Sequence, residues 1–215
     1  MTVDLILFDL DGTLADTAPD LALALDALRP AGQPPVDRIQ VRAATALGTA
    51  ALLRTGLGME AGMPGYEAAR LAFLAHYERI IGQATELTPG MVAVLDRLAQ
   101  AGLCWGVVTN KPERLAHRVL TMLGLADRAR CIVGGDSVAR CKPHPDPLLR
   151  ACELLDTAPG RALYVGDDLG DVQAAHAAGM PALAAAFGYT TESEARSWGA
   201  EGLLRTPADL LPFVL

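Results

Sequence analysis

The sequence lacks the features of several large classes of protein. No apolar run approaches 18 residues, so we expect no membrane span and no membrane partner. Eighteen basic against 25 acidic residues leave a net charge of −7, which has the wrong sign for binding a nucleic-acid backbone. The start of the chain has no basic segment ahead of an apolar one, so we expect no signal peptide and a cytoplasmic protein.

Cysteine, aromatic and asparagine residues are also scarce. The four cysteines form no C-x-x-C pair and no zinc-binding spacing, so we expect reduced thiols with mostly structural roles. Aromatic residues make up 5% of the chain, and Asn110 is its only asparagine. There is no P-loop, no G-x-G-x-x-G after the first predicted strand, no G-x-S-x-G and no H-E-x-x-H. These absences argue against a P-loop NTPase, a dinucleotide-binding enzyme, a serine hydrolase and a zinc protease.

The pattern that is present predicts one α/β domain with an insertion. Apolar residues make up 51% of the 215 residues, enough for a sizeable core. The run Leu5-Ile6-Leu7-Phe8 is typical of a strand buried on both faces, and from residue 85 onward strands alternate with helices. This alternation predicts a doubly wound parallel sheet, a Rossmann-like core formed by residues 1–14 and 85–215. Residues 15–84 predict helices without a convincing strand, and we expect them to form a small helical cap domain.

Polar residues follow four of the predicted strands. They are Asp9 and Asp11, Thr109 and Asn110, Lys142, and Asp167, Asp168 and Asp171. Because ligands bind outside the carboxyl ends of parallel strands, we expect these side chains to converge. Clustered carboxylates repel one another, and an all-oxygen set without histidine or cysteine favours Mg²⁺ as the ion that offsets the repulsion. With a lysine and a hydroxyl beside it, this set predicts a phosphoryl-binding site in which one carboxylate is free to form an aspartyl-phosphate.

The four motifs together resemble those of the haloacid dehalogenase superfamily. Residues 9–14, Asp-Leu-Asp-Gly-Thr-Leu, are similar to its signature opening. Thr109, Lys142 and residues 166–171 match its other three motifs in the same order. The resemblance covers essentially the whole chain, and the predicted helical cap lies where this superfamily carries one. It therefore implies the Rossmann-like core fold of that superfamily.

The resemblance also implies a role for each catalytic candidate. Asp9 would be the nucleophile. Asp11 would be the general acid and base, which protonates the leaving oxygen and later activates water. Thr109 and Lys142 would hold the phosphoryl group. These roles describe a phosphoric monoester hydrolase.

The same resemblance implies a magnesium site. Asp9, the backbone oxygen of Asp11, and Asp167 would bind Mg²⁺, with Asp168 and Asp171 helping directly or through water. Acidic residues are also common in the first turn of a helix, and for Asp171 that interpretation is as good as a role in supporting the metal.

Within the superfamily, the sequence resembles the phosphoglycolate phosphatase subgroup most. The segments that carry this resemblance are 8–20, 108–112 and 141–145. Segments 102–112, 165–169 and 198–200 are also similar to bacterial N-acetylmuramic acid 6-phosphate phosphatases. The resemblance implies a phosphomonoesterase for a small phosphorylated metabolite, with either compound as a candidate substrate. A phosphomutase of the same superfamily and a non-catalytic binding protein remain alternatives.

Three further residues are candidate substrate contacts. Asn110 directly follows Thr109, which favours a contact near the phosphate, although a turn residue or helix cap would look the same. Arg42 and Gly48 lie in the predicted cap, where similar proteins use an arginine to reach the polar end of the substrate. A solvated helix arginine is at least as good an interpretation of Arg42. Oligomeric state is not readable from the sequence, and we expect a monomer or a homodimer.

Overall fold

The computed structural model describes residues 3–215. Its strands are β1 (Leu5–Phe8), β2 (Ala15–Asp16), β3 (Glu86–Leu87), β4 (Cys104–Val108), β5 (Ile132–Val133), β6 (Ala162–Gly166), β7 (Ala182–Ala185) and β8 (Gly202–Leu204). Its helices are α1 (Ala18–Asp26), α2 (Arg38–Thr45), α3 (Thr49–Leu57), α4 (Tyr66–Ile80), α5 (Met91–Gln100), α6 (Glu113–Met122), α7 (Asp146–Leu154), α8 (Leu169–Ala177), α9 (Glu192–Arg196) and α10 (Leu211–Val214).

Six of the strands form one parallel sheet in the order β5-β4-β1-β6-β7-β8. Strand β1 lies between β4 and β6, and all four of its side chains are buried. Burying an apolar side chain of this size stabilises a fold by roughly 1.5–3 kcal/mol, so a strand covered on both faces is favoured at the centre of the sheet. Helices flank the sheet, which confirms the predicted fold class.

Helices α1 to α4 are called the inserted helices below. A second, two-stranded sheet lies where the chain enters and leaves them. Strand β2 pairs with β3 in antiparallel fashion, with Asp16 opposite Glu86. The chain therefore leaves the core and re-enters it through adjacent segments. The prediction of no strand in residues 15–84 was wrong for Ala15–Asp16, because a two-residue strand is too short to show an alternating pattern. The division into a core and a cap at the predicted boundaries stays a prediction.

Two short elements near the end of the chain were not predicted. Helix α9 has five residues and strand β8 has three, too few for a periodic pattern to emerge. A 3₁₀ turn over Pro207–Leu210 leads directly into α10.

The structure also bears on two expectations drawn from composition. All four cysteines have free thiols, with Cys131 and Cys152 buried. Among the helices of residues 3–215, none combines the length and apolar character needed to cross a membrane.

Candidate active site

Asp9 and Asp11 lie just beyond the carboxyl end of β1, at the centre of the sheet. The Asp9 N–H donates to the Val165 carbonyl at 2.9 Å, which extends the pairing with β6 by one residue. Gly12 then turns the chain with a φ of 86°. A Cβ at this position would lie 2.3 Å from Oδ2 of Asp167. Glycine is therefore needed both for the turn and for the close approach of this loop to Asp167.

Three carboxylates form a buried cluster. Oxygen atoms of Asp9, Asp167 and Asp171 all lie within 4.8 Å of one another. Burial raises the pKa of Asp9 to about 6, although the Lys142 ammonium opposes this shift. Burial and the charge of Asp9 raise the pKa of Asp167 well above its usual range. Oδ1 of Asp9 is buried and accepts no hydrogen bond within residues 3–215. An all-oxygen cluster with a buried free acceptor fits a hard divalent cation such as Mg²⁺.

Asp168 lies beside this cluster but has a second task. It is the N-cap of α8, and its Oδ1 accepts the Gly170 N–H at 2.6 Å. Oδ2 of Asp171 accepts the Asp168 N–H at 3.1 Å in return. Such reciprocal bonds satisfy amide groups that a helix start leaves free. The structure thus gathers Asp171 with Asp9 and Asp167, and the role of Asp168 in metal binding stays a prediction.

Lys142 is a fixed positive charge next to Asp9. Its Nζ donates to Oδ1 of Asp171 at 2.6 Å, to the Tyr164 hydroxyl at 2.8 Å and to the Val108 carbonyl at 3.2 Å. It also lies 2.9 Å from Oδ1 of Asp9, which gives an ion pair without the alignment of a hydrogen bond. Burial alone would lower the pKa of Lys142, but the charges of Asp171 and Asp9 outweigh burial and raise it. The ammonium is therefore available as a permanent counter-charge.

The residues after β4 hold this lysine in place. Nδ2 of Asn110 donates to the Lys142 carbonyl, and the Lys142 N–H donates to Oδ1 of Asn110, both at 3.0 Å. Thr109 is buried beside the same cavity, and its Oγ1 accepts the Lys111 N–H at 3.2 Å. Accepting that bond leaves the Thr109 O–H free to donate. Asn110 thus has a backbone-binding task that the sequence analysis did not include.

Lys111 is a functional candidate that the sequence analysis missed. Its Nζ donates to both carboxylate oxygens of Asp11, at 2.8 and 3.0 Å, and the Thr17 hydroxyl donates to the same carboxylate. Burial alone would lower the pKa of Lys111, but the charge of Asp11 outweighs burial and raises it. The signal lay in the composition. The chain has 18 basic residues but only two lysines, Lys111 and Lys142, and both are buried at this site.

The site opens into a cavity of about 270 Å³ between the strand ends and the inserted helices. Asp9, Asp11, Thr109 and the two lysines line its core side. The inserted helices and the turn between α2 and α3 contribute mainly apolar side chains, among them Leu21, Leu47, Leu52, Phe73, Leu74 and Tyr77. Gly48, which precedes α3, also lines the cavity. Gly48 therefore lies where a substrate could reach it, and its predicted contact with the substrate stays a prediction.

Arg42, by contrast, is not among the residues that line the cavity. Its Nη1 donates to Oδ2 of Asp16 at 2.6 Å, and its guanidinium lies 4.8 Å from the ring centroid of Tyr189. The Tyr189 hydroxyl donates to Oδ1 of Asp16 at 2.8 Å and accepts the N–H groups of Thr17 and Ala18. We call Asp16, Arg42 and Tyr189 the tether. In this structure Arg42 joins an inserted helix to β2, and this geometry gives no support to the predicted substrate contact.

The tether is linked to the carboxylate cluster. The backbone N–H of Tyr189 donates to Oδ2 of Asp167 at 2.8 Å, and the Thr13 hydroxyl donates to Oδ1 of Asp167 at 2.7 Å. Tyr189 therefore contacts both a predicted metal ligand, Asp167, and strand β2, which leads into the inserted helices. Nothing in the local sequence marks Tyr189, which is 173 residues from Asp16.

Comparison with known proteins shows which family this chain is similar to. Residues 3–179 match the family model of the haloacid dehalogenase-like hydrolases. A phosphoglycolate phosphatase from Xylella fastidiosa is 41% identical, over 94% of this chain and 89% of its own length. An N-acetylmuramic acid 6-phosphate phosphatase from Pseudomonas aeruginosa is 39% identical, over 98% of this chain and 94% of its own length.

A solved structure supports the same assignment. The crystal structure of a predicted phosphoglycolate phosphatase from Haemophilus somnus superposes with a TM-score of 0.88 at 28% identity. It covers 99% of this chain and 98% of its own. These relatives confirm the expected family and the expected class of enzyme, a phosphoric monoester hydrolase. The chain belongs to the haloacid dehalogenase-like hydrolase family.

Proposed function

We propose that this protein is a magnesium-dependent phosphomonoesterase that hydrolyses a small phosphorylated metabolite through an aspartyl-phosphate. The position of Asp9 carries the proposal. Its Oδ1 is buried without a hydrogen bond, lies 2.9 Å from the Lys142 ammonium, and belongs to a residue that lines the cavity. A carboxylate with a free oxygen, a counter-charge and access to the cavity suits attack on a phosphorus atom.

The side chains of the site supply both steps. An oxygen of Asp9 attacks phosphorus, the bond from phosphorus to the leaving oxygen breaks, and Asp11 gives that oxygen a proton. Asp11 then takes a proton from water, whose oxygen attacks the same phosphorus, releases phosphate and restores the Asp9 carboxylate. The Thr109 hydroxyl and the Lys142 ammonium offset the negative charge on the transferring group.

Mg²⁺ is the cofactor that this site would take. Asp9, Asp167 and the backbone oxygen of Asp11 would hold it, with Asp168 and Asp171 helping directly or through water. When bound, the ion would supply positive charge to the phosphoryl group and to the cluster. Two observations support this assignment: Oδ1 of Asp9 accepts no hydrogen bond, and burial raises the pKa values of Asp9 and Asp167.

The inserted helices provide the means of selecting a substrate. We propose that residues 15–84 act as a cap over residues 1–14 and 85–215, and that the cap keeps bulk water from the reaction. The apolar side chains that these helices place in the cavity support this role. We further propose that the enzyme works in the cytoplasm as a monomer or homodimer. Its partner would be a small phosphate monoester, and it would bind neither nucleic acid nor a membrane.

Our first candidate substrate is 2-phosphoglycolate, and N-acetylmuramic acid 6-phosphate is the alternative. Each compound appears in the name of a relative that is about 40% identical to this chain. A phosphomutase would need an activating bisphosphate and would return a phosphorylated product. A non-catalytic member would be expected to have lost one of the catalytic side chains, yet Asp9, Asp11, Lys142 and Asp167 are all present.

Phosphate release across a panel of esters tests the proposal. The panel contains 2-phosphoglycolate, N-acetylmuramic acid 6-phosphate and common sugar phosphates, each assayed with Mg²⁺ and again with a chelator. We expect release that depends on Mg²⁺ and is strongest for one of the first two esters. Absence of Mg²⁺-dependent release from every ester would contradict the proposal and favour the mutase or the non-catalytic protein.

A further inference from the structure

The cavity contains a second cation that the reaction steps do not use. Among the described residues that line it, Lys111 and Lys142 are the cations. Lys142 is occupied by Asp171, Asp9 and two neutral oxygens. Lys111 makes two hydrogen bonds to Asp11, and one N–H of its ammonium is left over. An anion that enters the cavity beside Asp11 can therefore bind to Lys111.

Tyr77, on α4, is the neighbour of this ammonium on the side of the inserted helices. Nζ of Lys111 lies over the Tyr77 ring, 4.8 Å from its centroid. Tyr77 lines the cavity, and only 1% of its surface is exposed. Its hydroxyl is buried and has no hydrogen-bond partner within residues 3–215. A buried hydroxyl without a partner costs stability, and a bound ligand that accepts its hydrogen bond would remove that cost.

We propose that Lys111 and Tyr77 form a carboxylate-binding subsite, so that the preferred substrate carries a carboxylate as well as its phosphate. The ammonium and the Tyr77 hydroxyl both donate, and a carboxylate is an acceptor with two oxygens. The other side chains that the inserted helices place in the cavity are mainly apolar, and none is a cation. Arg42, the cap residue expected to bind a carboxylate, is held in the tether instead.

The position of Lys111 limits how far this carboxylate can be from the phosphate. Nζ of Lys111 is 2.8 Å from Asp11, the group proposed to protonate the leaving oxygen. A carboxylate bound there must lie close to that oxygen along the carbon chain. In 2-phosphoglycolate it does, whereas in N-acetylmuramic acid 6-phosphate the lactyl carboxylate is across a sugar ring. This inference rests on the proposed phosphatase function and selects the first of the two candidate substrates.

Two esters that differ in one group test the subsite. In 2-hydroxyethyl phosphate a neutral hydroxymethyl group replaces the carboxylate of 2-phosphoglycolate. We expect wild-type kcat/KM to favour 2-phosphoglycolate by about 10- to 100-fold, the range for a hydrogen bond to a charged group. In Lys111→Met the preference should fall to within about threefold. Because Lys111 also binds Asp11, activity on both esters should drop, and the ratio between them is the result that counts.

Two further variants separate substrate binding from effects on Asp11. Tyr77→Phe removes only the unpartnered hydroxyl, so its melting temperature should match or exceed that of the wild type while the preference for the carboxylate falls. Thr17→Val is the matched control, because it removes a hydrogen bond to Asp11 from a residue that does not line the cavity. Its kcat/KM should fall by the same factor for both esters, so that the wild-type preference is kept.

Three outcomes would overturn the inference. The first is equal loss on both esters in Lys111→Met and Tyr77→Phe, which would make Lys111 a positioning residue for Asp11. The second is a wild-type enzyme that releases phosphate from both esters without a preference. The third is a wild-type preference for N-acetylmuramic acid 6-phosphate over 2-phosphoglycolate. Each of these three outcomes would leave the proposed phosphatase function standing. That function fails only if no ester is hydrolysed with Mg²⁺.

Discussion

Nη1 of Arg42 lies 2.6 Å from Oδ2 of Asp16, and this ion pair joins helix α2 to the strand that leads into the inserted helices. The side chains are 42% and 32% exposed, so the pair contributes no more than about 1 kcal/mol to stability. Tyr189 contacts both residues and, through its backbone, the Asp167 carboxylate. The pair is therefore connected to a predicted metal ligand through Tyr189, and it contributes little to the stability of the fold.

A substitution of Arg42 distinguishes a tether from a substrate contact. Arg42→Met should lower kcat/KM by less than about tenfold, and by the same factor for esters with and without a carboxylate, because Arg42 does not line the cavity. Kinetics with 2-phosphoglycolate and 2-hydroxyethyl phosphate measure this. A loss confined to 2-phosphoglycolate would show that Arg42 reaches the substrate after all.

Asn110 should matter for every substrate. Asn110→Ala removes both hydrogen bonds to the Lys142 backbone, and we expect kcat/KM to fall by about 10- to 100-fold because a displaced ammonium stabilises the transferring group less well. The free energy of unfolding should fall by only about 1–2 kcal/mol. Steady-state kinetics and urea unfolding check the two effects. A loss that depended on the leaving group would instead indicate a direct contact with the substrate.

Without metal, Asp9 should make stability depend on pH. Its folded pKa of about 6 lies above its ordinary value of 3.8, so folding favours the protonated form. The resulting stabilisation is full below about pH 4 and is lost as pH rises through about 6; one pKa unit corresponds to about 1.4 kcal/mol. Asp9→Asn cannot lose this proton. In chelator, its stability relative to wild type should rise by about 1–3 kcal/mol between mildly acidic and neutral pH.

Urea unfolding of wild type and Asp9→Asn at the two pH values, each in chelator, measures this difference. Comparing the two proteins cancels the titration of groups elsewhere in the chain. A gap that stays constant with pH would contradict the assigned shift in the pKa of Asp9.

Asp167 and Asp168 should differ in their importance for Mg²⁺. Asp167 belongs to the buried cluster, whereas Asp168 caps α8, a task that asparagine performs equally well. Mg²⁺ should raise the melting temperature of wild type and of Asp168→Asn, and should leave that of Asp167→Asn nearly unchanged. Thermal unfolding with and without Mg²⁺ gives the comparison. Equal losses of the Mg²⁺ effect in both variants would make Asp168 as important a ligand as Asp167.

The candidate residues at the strand ends could be predicted because their signals are local. Asp9, Thr109 and Asp167 each follow an apolar run, and parallel strands bring their carboxyl ends to one edge of the sheet. Lys142 was marked by the two prolines that follow it, Pro143 and Pro145. The family was predicted from the same motifs, and the fold class from the alternation of strands and helices after residue 85; the order of the strands in the sheet was not predicted.

The contacts around the inserted helices could not be predicted, because they join distant parts of the chain. Tyr189 meets Asp16 across 173 positions, and Tyr77 meets Lys111 only when α4 packs over the site. Arg42 was given a substrate contact from its helix and its charge, whereas its partner is set by the position of β2. Hydrophobic periodicity places helices in a sequence but does not say which polar side chains face one another.

The most direct test of the whole account is the release of phosphate from 2-phosphoglycolate by three samples: wild type with Mg²⁺, wild type with chelator, and Asp9→Asn with Mg²⁺. We predict steady turnover in the first and none above background in the other two, with the far-UV circular dichroism spectrum of Asp9→Asn unchanged. Turnover by a clean preparation of Asp9→Asn would contradict the assignment of Asp9 as the nucleophile. Full turnover in chelator would contradict the proposed need for Mg²⁺.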